Sequence, residues 1–324
     1  MHSRIIIFFF IFLSAFSPLS AQIIRDIGRI NDNGLRVRSD WDLNAEIIGQ
    51  LNEGDLVEIL ELSADTEKIG SMNSRWYKIR TPEHLGWVYG YYVDLYKEAV
   101  FKNFRLCFDR KLMQSLEAAE RNTYQDPMMG ITYPEQTVFS AAGYILPETK
   151  ETERRIILYR IPESGITPIT QNSVPKAETV NLLKQIIQTQ PGNIRKNDIP
   201  VLPRTPARQV FLSCPEILEN EHTRGIRCLT YYSQSLFWPP PKRVLFLYQG
   251  LSRNDSCWIS AFFPVERPDL PVDALPKPAP DEVYSYFRTL EEELENADPE
   301  KFLPPLSQLE KMMLSLDTQF VQKN

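Results

Sequence analysis

Between residues 34 and 96, short runs of β-branched and aromatic residues recur between turn-forming residues, and few folds accept that spacing. The runs are 35–38, 47–51, 56–62, 75–80 and 86–89. Gly49, Asn52 to Gly54, Asn73 with Ser74, and Pro82 with Glu83 mark the bends, because these residues tolerate a positive φ or fix φ in advance. In the fourth run Tyr77 and Ile79 alternate with Trp76, Lys78 and Arg80, the period of a half-buried strand. The pattern predicts a small barrel of five or six strands. So small a barrel has little room for a core, which assigns Trp76, Tyr77 and Trp87 to packing. Trp41, Tyr89, Tyr91 and Tyr92 fall at loop ends. A half-exposed ring there can stack on a ligand, so these four are the candidate ligand-binding residues.

The order Leu35-Arg36-Val37-Arg38-Ser39, Ile47-Ile48-Gly49-Gln50-Leu51, Gly54, Val57-Glu58-Ile59-Leu60, Trp76-Tyr77-Lys78-Ile79-Arg80 and Gly86-Trp87-Val88-Tyr89 resembles the bacterial SH3 family. The resemblance implies a non-catalytic module of an exported protein, one that binds cell-wall peptide or serves as a targeting or spacer unit. Two departures bear on its recognition groove. Trp41 stands where Pro or Gly is usual, and residues 64–74 read as a longer, more polar loop.

Residues 1–21 read as an export signal: Arg4 gives a positive start, residues 5–16 an apolar run, Pro18 a break, and Leu19-Ser20-Ala21 a cleavage site. The apolar run is short for a bilayer span, and no later stretch is long and apolar enough. The expectation is a protein without a membrane span once the signal is removed, placed in the periplasm or outside the cell. The net charge of −6 and the absence of a Lys/Arg cluster argue against nucleic-acid binding, which needs a concentrated basic surface.

The 324 residues allow two domains, expected at 22–97 and 98–324 after the signal at 1–21. All but Pro18 and Pro82 of the 25 prolines follow residue 97, so the second part should be rich in connections and short strands. Strands are expected at 103–108, 137–144, 155–161, 208–213, 225–232, 243–248 and 257–263. Helical spacing marks 177–189, 281–296 (with Asp281 as cap) and 306–320. Residues 267–280, with five prolines, read as an extended segment. The fold class is therefore mixed and β-rich: an N-terminal SH3-like barrel followed by an α+β domain with C-terminal helices. Residues 208–271 resemble a recurring module of exported bacterial proteins, and that resemblance brings no functional residue with it.

The cysteines are Cys107, Cys214, Cys228 and Cys257. In an oxidising compartment an even count permits two disulfides, and a pair among Cys214, Cys228 and Cys257 is expected, against the alternative of free core thiols. The spacings do not form a zinc site, and no metal or cofactor is expected.

Bacterial SH3 modules often accompany wall-cutting enzymes. A cysteine peptidase needs a thiolate and a histidine to deprotonate it. His222 is the sole histidine of the second part and Cys257 could pair with it, but the simpler reading makes His222 a surface residue and Cys257 a core or disulfide residue. One histidine is too few for a zinc amidase. Glu135, Glu216, Glu219 and Glu221 supply carboxylates for glycoside hydrolysis, a signal without specificity. Trp238, followed by Pro239-Pro240-Pro241, reads as a rigid exposed ring or as rim packing. The reading is a non-catalytic envelope protein whose partner is peptidoglycan or an envelope protein. The alternative is a wall-modifying hydrolase that uses the SH3-like part for targeting.

Overall fold

The computed structural model describes residues 22–147, 149, 153–161, 172–189, 191–233, 243–268 and 282–319. The expected export signal, Trp238 and its prolines, most of the proline-rich segment, Asp281 and Phe320 lie outside them.

The first eight strands are β1 (Ile23–Ile30), β2 (Leu35–Arg38), β3 (Ile47–Leu51), β4 (Leu56–Ile69), β5 (Met72–Arg80), β6 (Leu85–Tyr89), β7 (Val93–Phe101) and β8 (Phe104–Asp109). They pair in the order β3-β2-β6-β5-β4-β1-β7-β8. Period-two alternation sends one set of side chains inward, where Ile30, Leu35, Val37, Val57, Ile79 and Val88 form the core of the N-terminal part. Residues 64–74, expected as a loop, continue the β4–β5 hairpin around Gly70, whose φ is +62°. Thr66↔Arg75 through Ile69↔Met72 pair in register. The sequence hid this because the ribbon is largely polar, with Ile69 and Met72 its apolar contacts to the aromatic cluster. A register shift between Leu62 and Thr66 sets it off, where the buried Ser63 hydroxyl accepts the Trp76 N–H at 3.0 Å.

Strand β7 joins the two halves of the chain. It pairs with β1 from Ile30↔Val93 to Ile23↔Val100, then with β8 on its other side. The boundary expected after residue 97 lies inside it. Ala99, Phe101, Leu106 and Phe108 pack with Phe139 in the core of the second part.

That second part is an antiparallel sheet of β9 (Ser115–Arg121), β12 (Gln136–Ala142), β13 (Arg155–Arg160), β14 (Arg208–Glu219), β15 (Thr223–Ser233), β16 (Arg243–Ser252) and β17 (Cys257–Glu266). Its order is β14-β15-β16-β17-β13-β12-β9, and the short pair β10 (Tyr124–Gln125) and β11 (Thr132–Tyr133) stands apart. Both faces of the sheet are covered. Phe211, Leu229, Phe246 and Phe263 meet α2 (Val283–Glu295) and α3 (Leu306–Leu314) on one side. Leu212, Ile226, Leu247 and Trp258 meet α1 (Ala177–Gln188) on the other. Two buried faces explain the nearly continuous apolar runs of β16 and β17, where a one-sided sheet would alternate.

Two of the sheet edges, β14 and β8, are covered. Leu212 N–H on β14 donates to the Glu291 carboxylate of α2 at 3.2 Å. On β8, Arg105 exchanges backbone hydrogen bonds with Asp317, which follows α3. Such cover keeps an edge from pairing with another chain.

All four cysteines are free, which corrects the expected disulfide. Cys228 sits in the core shared with α1, whereas Cys257 sits in the core shared with α2 and α3, on the opposite face of the sheet. Cys214 neighbours Cys228 across β14–β15, but it occupies a register shift at φ +49° and packs toward the α2 side. Cys214 and Cys257 share a face, yet two strands separate β14 from β17. That places them roughly 14 Å apart, beyond disulfide reach.

Candidate functional site

On β2 the inward Leu35 and Val37 leave Arg36 and Arg38 facing outward. On β6, Val88 is inward and Trp87 and Tyr89 are outward; on β5, Ile79 is inward and Trp76 and Lys78 are outward. Cross-strand registers bring the outward set together: Arg38↔Trp87, Lys78↔Trp87 and Trp76↔Tyr89. The outer face of the barrel is therefore aromatic and cationic, and Lys78 Nζ stands 5.6 Å over the Trp87 ring.

Trp76 and Tyr89 meet edge to face at 5.5 Å, and Tyr89 meets Tyr92 at 6.3 Å. Beside these rings lies a concavity of about 270 Å³, lined by Trp76, Tyr89 and Tyr92 together with Arg36, Arg38 and Met72. The β4–β5 ribbon braces the rings. Trp76 Nε1 donates to the Glu67 carboxylate at 2.5 Å, and the Tyr89 hydroxyl donates to the Glu67 carbonyl at 2.7 Å. Tyr92 is set by the 3-10 turn Gly90–Tyr92, and its hydroxyl donates to Met72 Sδ at 3.3 Å. Gly90 is required there, since a Cβ would come within 2.7 Å of the Arg75 carbonyl.

The four candidate ligand-binding residues part company. Tyr89 and Tyr92 both line the concavity. Tyr89 is only 4% exposed, which corrects the expectation of a half-exposed ring, and burial raises its phenol pKa. Tyr91 is 53% exposed and packs edge-on against Tyr92 at 5.3 Å. Trp41 is 45% exposed and leans on Trp87 at 6.4 Å, close in sequence to Leu43, which does line the concavity. Sequence reasoning passed over Arg36, Arg38 and Met72. The alternation of the two arginines with Leu35 and Val37 carried the signal for them, while Met72 was hidden in the segment read as a loop.

Cys257 and His222 have separate partners. The Cys257 thiol is buried, donates to the Trp258 carbonyl, and is pushed up to about 12 by burial. A thiol so held is a poor nucleophile at neutral pH. His222 lies 3.0 Å from the Glu221 carboxylate and 3.4 Å from that of Asp317. It precedes β15, and β16 stands between it and Cys257.

A second concavity, of about 430 Å³, opens where β14 and β15 meet the C-terminal helices. Its charged wall is Arg227, whose guanidinium is already neutralised by Glu216 and by Glu310, the latter at 2.7 Å. Glu295 adds a carboxylate to the same wall.

Residues 33–94 match the bacterial SH3 domain family, and that part of the chain is a bacterial SH3 domain. Domains of this family occur in cell-envelope proteins and commonly bind peptidoglycan. No curated protein and no solved structure matches the chain. Among the described residues no helix is long and apolar enough to cross a membrane.

Proposed function

We propose that this is an exported, non-catalytic envelope protein whose SH3 domain binds the peptide part of peptidoglycan. The bound peptide lies in the concavity edged by Trp76, Tyr89 and Tyr92. The observation that carries this reading is the concavity itself, since its aromatic rings are braced from behind by Glu67 and open beside two outward arginines. Half-buried Tyr92, backed by the buried rings of Trp76 and Tyr89, offers a peptide a contact surface fixed in advance, at little cost in ordering. On this reading the SH3 domain holds at the wall the larger sheet, β9 and β12 to β17, with the helices packed on it.

The test is co-sedimentation of residues 22–324 with purified peptidoglycan. The protein is expected to pellet, and Tyr92→Ala is expected to lower the pelleted fraction. Wild-type protein that stays in the supernatant overturns the proposal.

A further inference from the structure

Arg38 is 8% exposed, yet among the described residues its guanidinium makes one hydrogen bond, Nη1 donating to the Ala45 carbonyl at 2.8 Å, and has no carboxylate partner. A charge withdrawn from water without a counter-charge is costly, and the chain avoids that cost elsewhere. Arg227, at 4% exposed, is held between Glu216 and Glu310. Arg243 pairs with Glu266, and Arg224 with Asp255. Arg38 lines the aromatic concavity, as does Arg36 two residues before it on the same outward face. Asp32 also lines it, with Oδ1 accepting the Asn33 N–H at 2.8 Å, and forms no ion pair with either arginine.

We infer that Arg38 is the carboxylate-binding group of this concavity and receives a free carboxylate of a wall stem peptide. The inference rests on the wall-binding reading above and specifies its chemistry. A guanidinium presents a planar fork that matches a carboxylate with two parallel hydrogen bonds, and such bonds are stronger where water is excluded. One hydrogen bond to Ala45 fixes the fork and leaves the rest of it for the ligand. Tyr92 and Met72, with Trp76 and Tyr89 buried behind them, then take the aliphatic part of the residue that bears the carboxylate, and exposed Arg36 draws the anion in from solvent.

The experiment measures affinity of residues 22–324 for native peptidoglycan and for peptidoglycan whose carboxylates have been converted to amides. It uses the wild type, Arg38→Gln and Arg38→Lys. Amidation is expected to weaken wild-type binding about tenfold, the scale of one charge-assisted hydrogen-bonded pair. Arg38→Gln should be weaker by a similar factor on the native wall and indifferent to amidation, while Arg38→Lys should keep part of the preference. The amidation arm on the wild type needs no variant, so it stands even if Arg38→Gln disturbs the contact with Ala45. Equal wild-type affinity for the two walls overturns the carboxylate subsite and leaves wall binding in place. An Arg38→Gln protein that folds and still discriminates places the carboxylate elsewhere and overturns the assignment to Arg38. Failure of the wild type to bind either wall overturns the wall-binding reading and the subsite with it.

Discussion

Trp76 donates its indole N–H to the Glu67 carboxylate at 2.5 Å, across the hairpin that projects from the barrel. The backbone carbonyl of Glu67 also accepts the Tyr89 hydroxyl, so one residue fixes two rings of the concavity. Glu67→Ala strands an indole N–H in a side chain that is 2% exposed. It is expected to cost about 1–3 kcal/mol of stability. Glu67→Gln keeps an acceptor and should cost less. Urea unfolding followed by tryptophan fluorescence measures both, and equal stability of Glu67→Ala and wild type would show that the indole finds another partner.

Cys228 and Cys257 lie on opposite faces of one sheet, and burial pushes both thiols up to about 12. Neither is expected to react with a thiol reagent in the native protein near neutral pH. In denaturant without reductant, alkylation and intact-mass measurement should count four adducts on protein purified from its native compartment. Two or fewer adducts would mean that a disulfide forms despite the distances in this fold.

Most strands of the second sheet were legible because they hold runs of β-branched, aromatic and other apolar residues, as in Arg243–Ser252 and Cys257–Glu266. β9, with the sequence SLEAAER, was not legible. It is an edge strand with a mostly exposed surface, and edge pairing imposes no apolar alternation on it. β1 escaped notice because its pattern matters only once β7 is beside it, and that contact is separated by about seventy residues of chain. Of the rings that line the concavity, Tyr89 and Tyr92 were named from their loop-end positions, whereas Trp76 was assigned to packing and Trp41 and Tyr91 lie outside the lining. The alternation of Arg36 and Arg38 with Leu35 and Val37 puts both arginines on one face, but Arg38 becomes distinctive only when its burial and its lack of a carboxylate are both known.

Asp255 in the β16–β17 turn receives Lys184 of α1 at 2.7 Å and Arg224 of β15 at 2.9 Å. Burial alone would raise its pKa, but the two cations outweigh burial and hold the carboxyl below its ordinary value. The folded-state pKa is thus depressed. The ion pairs add stability above the unfolded-state pKa, and that stability is lost as pH falls through the folded one. Asp255 has φ +58°, a conformation that Asn tolerates nearly as well as Asp, so Asp255→Asn isolates the charge from the backbone. The variant should be less stable than wild type at pH 7, and the difference should shrink below about pH 4. A difference that stays constant from pH 7 to pH 3 would assign it to packing instead.

The pairing of β7 with β1 limits where the chain can be cut. A protein that begins at Glu98 keeps only the second half of β7 and loses β1 altogether. That removes the eight-residue register Ile23↔Val100 to Ile30↔Val93 and leaves one side of the remaining β7 residues unpaired. It also removes Gln22, whose side-chain oxygen accepts the Ala118 N–H of β9 at 2.8 Å. Ala99 and Phe101 belong to the same core as Phe139, with the two phenylalanine rings 6.4 Å apart, so fraying of β7 reaches the larger sheet. The truncated protein is therefore expected to aggregate or to lose its cooperative thermal transition, whereas residues 22–324 should melt cooperatively. Calorimetry on both proteins decides the point. A sharp transition from the protein that starts at Glu98 would mean that the second sheet folds without its N-terminal neighbour, and that β1 serves the SH3 domain alone.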